Sequence, residues 1–272
     1  NYKISKRKFE CLKILNMFVH ENSCLIKNYN NMIECTINGK SAALNLSNEQ
    51  LQVLVSGKFG DGCLSTPKTC VDNSMYSTNC IYKEYIDYKG KLLGDLTSKS
   101  NLLLNNGYAK KPIWCLHTHV SPDITTIKNM NIEDALNLLD DLGIALWFYD
   151  DGSLHKTKLF YNLNTQGFSE EINKELFVPF FLKFGIKAKP TVERKKDGKE
   201  FWYLRIGKYD GAYEISELLN KYKVDCFNYK VWSSETIQNW SKLQEWLKSG
   251  NNSNCSTKKK SMILKKIEQG EL

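Results

Sequence analysis

Two long apolar segments, each closing on aspartate and glycine, stand out in the pattern of hydrophobic and polar positions. The first lies in "SNEQLQVLVSGKFGDGCL", residues 47–64, where apolar side chains recur at helical spacing after a capping-box start at Ser47 and Gln50. The second is "IALWFYDDGSL", residues 144–154, in which an unbroken apolar run precedes two aspartates. We predict two buried helices, the second of them capped by Gly152 in a left-handed conformation.

Aspartate is an unfavourable residue at the C-terminal end of a helix. The unpaired carbonyls and the negative pole of the helix dipole cost a carboxylate there roughly 0.3–1 kcal/mol. Asp61 closes the first segment and the pair Asp150 and Asp151 closes the second, with Asp61 and Asp151 90 residues apart. Carboxylates held close together repel each other unless a cation lies between them. Because hard oxygen ligands suit Mg²⁺ or a similar divalent cation, the pattern indicates a metal site.

The chain after each of these aspartates repeats one order of elements. The turn glycines of two predicted hairpins, Gly107 and Gly198, lie 46 and 47 residues beyond Asp61 and Asp151. After Asp61 we predict the strand "MYSTNC", a helix over 82–96 and a hairpin with an Asn106-Gly107 turn. After Asp151 we predict the strands "GSLHK" and "KLFYNLNT" and a helix from Ser169 to about Gly185. These are followed by the hairpin of "KAKPTVERK" and "EFWYLRIG", with an Asp197-Gly198 turn, and by a helix over 209–222.

A half with one amphipathic sheet and one very apolar helix cannot bury its own core. We therefore predict an α+β fold of two pseudo-symmetric halves, each helix-strand-strand-helix-strand-strand-helix, that pack their first helices against each other. This packing would carry Asp61 and Asp151 side by side to one end of the seam. The small residues that permit a close approach are Ser56, Gly60, Gly143 and Ala145. The predicted domains are an N-terminal extension (1–46), a first half (47–139), a second half (140–248) and a basic, flexible C-terminal tail (249–272).

Charge and cysteine content narrow the class of protein. The 272 residues carry 38 Lys and Arg against 30 Asp and Glu, a net charge of +8 that favours a polyanionic partner. The nine cysteines are scattered and odd in number, which predicts free thiols in a reducing, intracellular compartment. An organelle and an AT-rich bacterial or phage host fit equally well. No apolar run approaches the roughly 18 residues of a membrane span, so we expect no membrane partner.

The tandem motifs "LVSGKFGDG" and "IALWFYDDG" resemble those of a monomeric, intron-encoded LAGLIDADG homing endonuclease. The resemblance runs from about Ser47 to Trp232 and includes "LNTQGF" at 163–168 and "YKV" at 229–231. It implies αββαββα units whose antiparallel sheets form a DNA-binding saddle. It further implies divalent metal at Asp61 and Asp151, with Gly60 and Asp150 completing the metal set, Asp150 through its backbone carbonyl.

The family resemblance also implies the chemistry. Lys128 and Lys230 match the lysine near the end of each half that lies close to the scissile phosphate, and Gln166 matches a polar residue near the second metal site. The implied activity is metal-dependent hydrolysis of both strands of a long, asymmetric double-stranded DNA target. Two other functions share the scaffold: an RNA maturase that binds its own intron, and a DNA-binding regulator that no longer cleaves. Retention of both motif aspartates, Asp61 and Asp151, and of the lysines Lys128 and Lys230 favours cleavage.

The outward faces of the predicted strands are candidates for contacting DNA. Arginine, lysine, asparagine and threonine are the side chains that address base edges and phosphates. The residues predicted to bind DNA are Lys156, Lys158, Asn162, Lys187, Lys189, Thr191, Arg194, Tyr203, Arg205, His117 and His119. Together with Cys115, the two histidines also fit part of a zinc site, but no companion pair at finger spacing accompanies them.

One residue departs from the family pattern, and the two ends of the chain lie beyond it. Lys58 occupies an apolar position of the first motif and must reach out of the seam or pair with a carboxylate, so the first half is expected to be less active. Residues 1–46 are expected to form a DNA-contacting extension or to be a remnant of a fused reading frame. The polar, lysine-rich stretch after residue 249 is expected to be mobile unless it meets DNA.

Overall fold

The computed structural model describes residues 28–29, 32–37, 39–70, 72–104, 111–195, 197–248 and 256–269. They belong to two compact units, one ending at Asp150 and the other beginning at Asp151. The predictions for residues 1–27, for the Asn106-Gly107 turn and for residues 249–255 lie outside the described residues. None of the helices within the described residues is long and apolar enough to cross a membrane.

The first unit has two antiparallel sheets and a set of helices. A small sheet formed by β1, β2 and β3 precedes the helix that carries the first motif. The elements are β1 (Asn28–Tyr29), β2 (Met32–Ile37), β3 (Lys40–Leu44), α1 (Asn48–Phe59), β4 (Gly62–Ser65), β5 (Met75–Cys80), α2 (Lys83–Leu93), β6 (Thr97–Leu103), β7 (Ile113–Thr118), α3 (Pro122–Asn129), α4 (Ile132–Asn137) and α5 (Asp141–Asp151), whose last residue belongs to the second unit. The predicted capping box at Ser47 and Gln50 is confirmed, because each residue's side chain bonds the other's backbone N–H.

The second unit repeats the same order of strands and helices after α5. Its elements are β8 (Gly152–His155), β9 (Phe160–Leu163), a continuous helical segment α6 (Glu170–Ile172, Asn173–Phe177 and Val178–Lys183), β10 (Ala188–Arg194), β11 (Glu200–Ile206), α7 (Ala212–Lys221), a 3₁₀ turn (Asp225–Lys230), α8 (Ser234–Lys248) and α9 (Thr257–Glu268). The predicted hairpin is confirmed, with β10 and β11 paired along their whole length and Gly198 at φ 81° in the turn.

The two four-stranded sheets have identical topology. Their strand orders are β4-β5-β7-β6 and β8-β9-β11-β10, and every pairing is antiparallel. Each sheet is preceded by one of the two apolar helices. The predicted α+β class and the αββαββα order are therefore confirmed.

Within the first unit, α1 and residues 141–150 of α5 lie side by side and run in the same direction. At their N-terminal ends, the fully buried Gln52 donates to the carbonyl of Leu138 at 2.9 Å and accepts from the N–H of Asp140 at 3.0 Å. At their C-terminal ends, the N–H of Asp61 donates to Asp150 Oδ2 at 3.3 Å. Both ends of the seam are thus fixed by hydrogen bonds.

Two glycines make the close approach of the helices possible, as the sequence predicted. A Cβ at Gly60 would lie 2.7 Å from Asp150 Oδ2, and one at Gly143 would lie 2.6 Å from Leu139 Cδ2 and collide with Gln52 Oε1. Real Cβ atoms do not come so near to other heavy atoms. The predicted small residues Ser56 and Ala145 are also fully buried.

Two predictions are wrong. Gly152 is not a left-handed cap, because the chain passes directly from α5 into β8 without a positive φ at this residue. The C-terminal tail, which was expected to be mobile, contains α9, whose Ile263, Leu264 and Ile267 are buried. The first of the two strands predicted after α1 is β4, which begins at Gly62.

The seam can be tested by substituting alanine for Gly143. Alanine favours an isolated helix by about 1 kcal/mol relative to glycine, but here the methyl group meets the anchored Gln52 amide. We expect a net loss of about 1–3 kcal/mol in the free energy of unfolding, measured by urea denaturation. Gly167→Ala is the matched control, since a Cβ at Gly167 meets nothing within 4 Å. Equal stability of the two variants would contradict the close packing.

The hairpin turn between β10 and β11 gives a second test. Gly198 has φ 81°, a conformation that costs a β-branched residue about 1–3 kcal/mol. Gly198→Val should lower the thermal unfolding midpoint by several degrees. Gly198→Asn should stay near the wild type, because asparagine tolerates this region. A valine variant that unfolds at the wild-type temperature would show that the turn is built differently.

Candidate functional site

Asp61 lies directly beyond the end of α1 and is exposed to solvent. Its backbone is held on both sides: the N–H donates to Asp150 Oδ2, and the carbonyl accepts from Thr78 Oγ1 at 3.3 Å. The end of the helix is therefore fixed by α5 and by β5. This arrangement places the predicted Asp61 carboxylate at a defined, solvent-accessible point of the first unit.

Asp150 has a different environment, because its side chain points into the protein. Lys89 Nζ lies 2.8 Å from Asp150 Oδ1 and 3.0 Å from Oδ2, and the Tyr85 hydroxyl donates to Oδ1 at 2.7 Å. The side chains of Lys89 and Asp150 are 0% and 1% exposed. The residue as a whole is half-buried, so it is the backbone of Asp150 that reaches the surface. The Asp150 carboxylate is therefore engaged inside the protein, and only backbone atoms of Asp150 are accessible to a metal.

The charges of this buried pair support each other. Burial by itself lowers the pKa of the Lys89 ammonium, but the adjacent Asp150 carboxylate outweighs it, so the pKa lies above its ordinary value. Burial and the same carboxylate raise the pKa of Tyr85 well above its usual range. Lys89 therefore stays charged and Tyr85 stays a neutral donor near pH 7. The ring of Tyr85 also lies against the ammonium, with 4.6 Å between Lys89 Nζ and the ring centroid.

Asp151 is the first residue of the second unit and follows Asp150 in the chain. Its carbonyl accepts from the N–H of Asn164 at 3.1 Å, and the residue is half-buried. Gly152, which follows, is buried at the start of β8. Gln166, the polar residue predicted near the second metal site, is exposed in the turn between β9 and α6.

The two predicted lysines have unlike surroundings. Lys128 is half-buried near the end of α3, and its Nζ donates to Thr66 Oγ1 at 2.7 Å. Lys230 is only 6% exposed at the end of the 3₁₀ turn, with its Nζ 4.8 Å from the centroid of the Phe227 ring. Its carbonyl accepts from the buried Tyr161 hydroxyl at 2.6 Å. Lys128 is therefore the more accessible of the two cations.

Lys58 reaches out of the helix seam, as one of the two predicted alternatives required. Its Nζ donates to the carbonyls of Lys128 at 2.8 Å and Ile127 at 3.4 Å, at the C-terminal end of α3. Burial lowers the pKa of the Lys58 ammonium. The departure from the family pattern thus has a structural use, because Lys58 caps the helix that carries Lys128.

The oxygen donors at these helix ends fit a hard divalent cation. Asp61 is an exposed carboxylate, and Asp150 presents backbone at the surface. Within the described residues, no group of three or more His, Cys, Asp or Glu side chains could hold a metal ion. Water and substrate oxygens would have to complete the shell, which is the coordination that Mg²⁺ prefers. The same finding provides no support for zinc at Cys115, His117 and His119.

One face of the second sheet carries a row of polar side chains that crosses all four strands. Ser153, Asn162, Arg205 and Lys189 are direct neighbours on β8, β9, β11 and β10. Residues on either side of this row along the strands, such as Leu204 and Ile206, point to the opposite face and are fully buried. Thr191 and Tyr203 pair on the same polar face. We call these four residues, 153, 162, 205 and 189, the second polar row.

The first sheet has an equivalent row at the same strand positions. Cys63, Ser77, His117 and Lys99 are neighbours on β4, β5, β7 and β6, and we call them the first polar row. Burial, and then the charge of Lys99, lower the pKa of His117, so its ring is neutral near pH 7. Among the described residues, His117 Nδ1 and Asn101 Oδ1 are buried without hydrogen-bond partners. Such atoms in a folded protein call for a ligand or water.

The remaining predicted DNA contacts lie on exposed positions of turns and strand ends. Arg194 pairs with Glu200 across the hairpin at 2.6 Å, which reduces its availability to a phosphate. His119 lies just beyond β7, where its N–H donates to the carbonyl of Leu96 at 2.8 Å. The other exposed positions are Lys156, Lys158 and Lys187.

Sequence reasoning missed Lys89, Tyr85 and the members Cys63, Ser77, Lys99 and Ser153 of the two polar rows. For the rows, the missing information was the register between hairpins, which the periodicity of one strand does not contain. For Lys89, a signal was present: a lysine at an inward position of an amphipathic helix predicts a buried acidic partner.

Comparisons with known proteins agree with this geometry. A protein-family model described as the LAGLIDADG DNA endonuclease family matches residues 52–212. The chain is 33% identical over 119 residues to "Probable intron-encoded DNA endonuclease 3" of Mycosarcoma maydis, covering 44% of this chain and 82% of that relative.

A solved structure of a homing endonuclease shares the fold. The homing endonuclease I-WcaI bound to its DNA recognition sequence superposes with a TM-score of 0.56 at 21% identity, covering 69% of this chain and 88% of that one. Mesophilic variants of the homing endonuclease I-DmoI give a TM-score of 0.44 at 12% identity, covering 65% and 99% of the two chains. The family model extends over most of α1 and over both four-stranded sheets, and on that basis the chain belongs to the LAGLIDADG DNA endonuclease family.

Proposed function

We propose that this protein is a site-specific endonuclease that hydrolyses both strands of a long, asymmetric DNA target and depends on a divalent cation such as Mg²⁺. The observation that carries the proposal is the division of roles at the end of α5. The Asp150 carboxylate is used inside the protein, while Asp61 is exposed and Asp151 follows at the start of the second unit.

In this proposal the carboxylates of Asp61 in the first unit and of Asp151 in the second would bind divalent cation, and the backbone carbonyls of Gly60 and Asp150 would add neutral oxygen donors. When bound, the cation supplies Lewis-acid stabilisation of negative charge at the phosphate. The hydrogen bond from the Asp61 N–H to Asp150 and the one that the Asp61 carbonyl accepts from Thr78 keep the helix end from moving as charge develops. Preorganised groups of this kind avoid reorganisation during the reaction.

In the first half, the positively charged Lys128 is proposed to stabilise the negative charge that develops at the scissile phosphate. Its ammonium already donates to the Thr66 hydroxyl, which is exposed and can exchange for a phosphate oxygen. Lys58 fixes the backbone of Lys128 through its carbonyl. Lys230 would act in the second half, where its burial makes a movement of the 3₁₀ turn necessary.

The two polar rows support an asymmetric target. Major-groove recognition uses hydrogen-bonding side chains on a surface that enters the groove. The rows have equivalent positions but different chemistry: the β7 and β11 positions are a neutral His117 and a cationic Arg205. Side chains that differ in charge and donors select different bases, so the two half-sites should differ.

The alternative functions make different demands on the chain. A regulator without catalysis has no need of exposed motif aspartates, so the exposed Asp61 favours cleavage over that role. Binding of intron RNA, and a monomeric state in solution, remain predictions. The double-stranded DNA partner is part of the proposal.

The metal role can be tested by substituting one carboxylate. Asp151→Asn keeps the size of the side chain and removes its charge, so we expect DNA cleavage in Mg²⁺ to fall by on the order of 100-fold or more. DNA binding should stay within about tenfold, measured without metal on the same duplex. Asp225→Asn, a change of an exposed carboxylate in the same unit, is the control and should cleave normally. Loss of binding together with cleavage would instead assign Asp151 a structural role.

The salt dependence of binding tests the DNA interface independently of catalysis. Each phosphate contact contributes a slope of about −0.9 when the logarithm of the association constant is plotted against that of the salt concentration. A target as long as proposed requires several contacts, so affinity should fall by about 10³-fold or more between 50 and 200 mM salt. Lys158→Ala should make the slope shallower by about 1. A flat response would contradict the proposed surface.

A further inference from the structure

Arg205 occupies a central position on the polar face of the second sheet. It lies on the inner strand β11, between Lys189 on β10 and Asn162 on β9, and the residue is exposed. Its flanking residues on the strand, Leu204 and Ile206, are fully buried. The backbone beneath Arg205 is thus anchored by the core while its side chain stands on the open face.

Three neighbours hold the guanidinium of Arg205 in place. Nε donates to Asn162 Oδ1 at 3.2 Å, and Nη2 donates to the Tyr203 hydroxyl at 3.0 Å. The Phe160 ring lies against the same group, with 4.7 Å between Arg205 Cζ and the ring centroid. Phe160 in turn stacks on His155 at 4.7 Å between ring centroids. The side chain is therefore ordered before any ligand arrives.

None of these neighbours neutralises the charge. Asn162, Tyr203 and Phe160 are uncharged, whereas Arg194, on the adjacent strand β10, is paired with the Glu200 carboxylate. Arginine has five N–H donors, and the two contacts leave three of them, including both on Nη1. An arginine normally loses up to about 2 kcal/mol of rotamer freedom when it binds, and part of that cost is already met here.

We propose that Arg205 recognises one guanine in the major groove of the target and sets the base preference at that position. Guanine presents two acceptors there, N7 and O6, which match the paired N–H donors of a guanidinium. Adenine offers one acceptor and a competing donor at the same edge, so the fixed fork is mismatched. The inference rests on the proposed DNA-binding function, to which it adds a specific base contact.

The same side chain could instead contact a phosphate, and base selection separates the two roles. A phosphate contact weakens binding to all sequences alike, whereas a base contact alters preference at one position. The probe is a library of random-sequence DNA duplexes, from which the full-length protein is allowed to select binders without divalent metal. The bound duplexes are then sequenced for the wild type and for each variant.

We expect the wild type to select guanine at a position where Arg205→Ala reduces that preference by about 10- to 100-fold and leaves the other positions unchanged. Arg205→Lys, which keeps the charge but not the fork, should lose most of the preference as well. Lys199→Ala removes the same charge from an exposed position of the same hairpin and should keep the preference. Tyr203→Phe removes one support and should weaken the preference by about fivefold while retaining the charge.

A base profile that is unchanged in Arg205→Ala, with all sequences weakened alike, would overturn the inference. If Arg205→Ala does not fold, as judged by thermal unfolding, the Arg205→Lys and Tyr203→Phe profiles decide the question in the same way. Cleavage of the selected duplexes in Mg²⁺ is measured separately. If the wild type cleaves but the Arg205→Ala base profile is unchanged, only the base contact is rejected. If Arg205→Ala loses the guanine preference but the wild type does not cleave, only the nuclease function is rejected.

Discussion

A buried ion pair between Lys89 and Asp150 holds the Asp150 carboxylate inside the first unit, while Asp61, at the end of the other motif helix, is exposed. Taking two charges out of water costs several kcal/mol per ion, so the pair persists only with good geometry and additional hydrogen bonds. Asp150 has both: two short contacts to Lys89, a hydrogen bond from Tyr85 and one from the Asp61 backbone. The last of these bonds links the buried pair to the end of the other motif helix. The unfavourable position of the Asp150 carboxylate at a helix C-terminus is compensated here by a lysine.

The helix seam depends on the same contacts. With the C-terminal ends held by Asp150 and the N-terminal ends held by Gln52, α1 and α5 have little freedom to slide. Gly60 and Gly143 lie at opposite ends of this contact and allow the distance that the hydrogen bonds require. Packing and polar contacts therefore specify one register, and that register sets the position of Asp61. Function in the proposed nuclease is then a consequence of how two apolar helices fit together.

Local patterns predicted most of the elements, because helix spacing, capping residues and turn glycines act within a few residues. The hairpin at Gly198 and the capping box at Ser47 are examples. Interactions between distant residues were less accessible: Lys89 and Asp150 are 61 residues apart, and one sequence contains no pairing information for them. The prediction of a cap at Gly152 was wrong because a strand follows the helix without a turn. The helix α9 was not predicted because its sequence is rich in lysine, although three of its apolar residues are buried. The aspartates were found because the motif repeats, whereas the polar rows required the register between strands.

Lys89 and Asp150 are expected to stabilise the protein as a pair. A double-mutant cycle with Lys89→Met and Asp150→Leu, followed by the free energy of unfolding in urea, measures this directly. Each single variant leaves one buried charge without a partner, so each should lose about 3–5 kcal/mol. The double variant removes both charges and should lose much less than the sum of the two. Losses that simply add would show that Lys89 and Asp150 act independently and that the ion pair does not hold the seam.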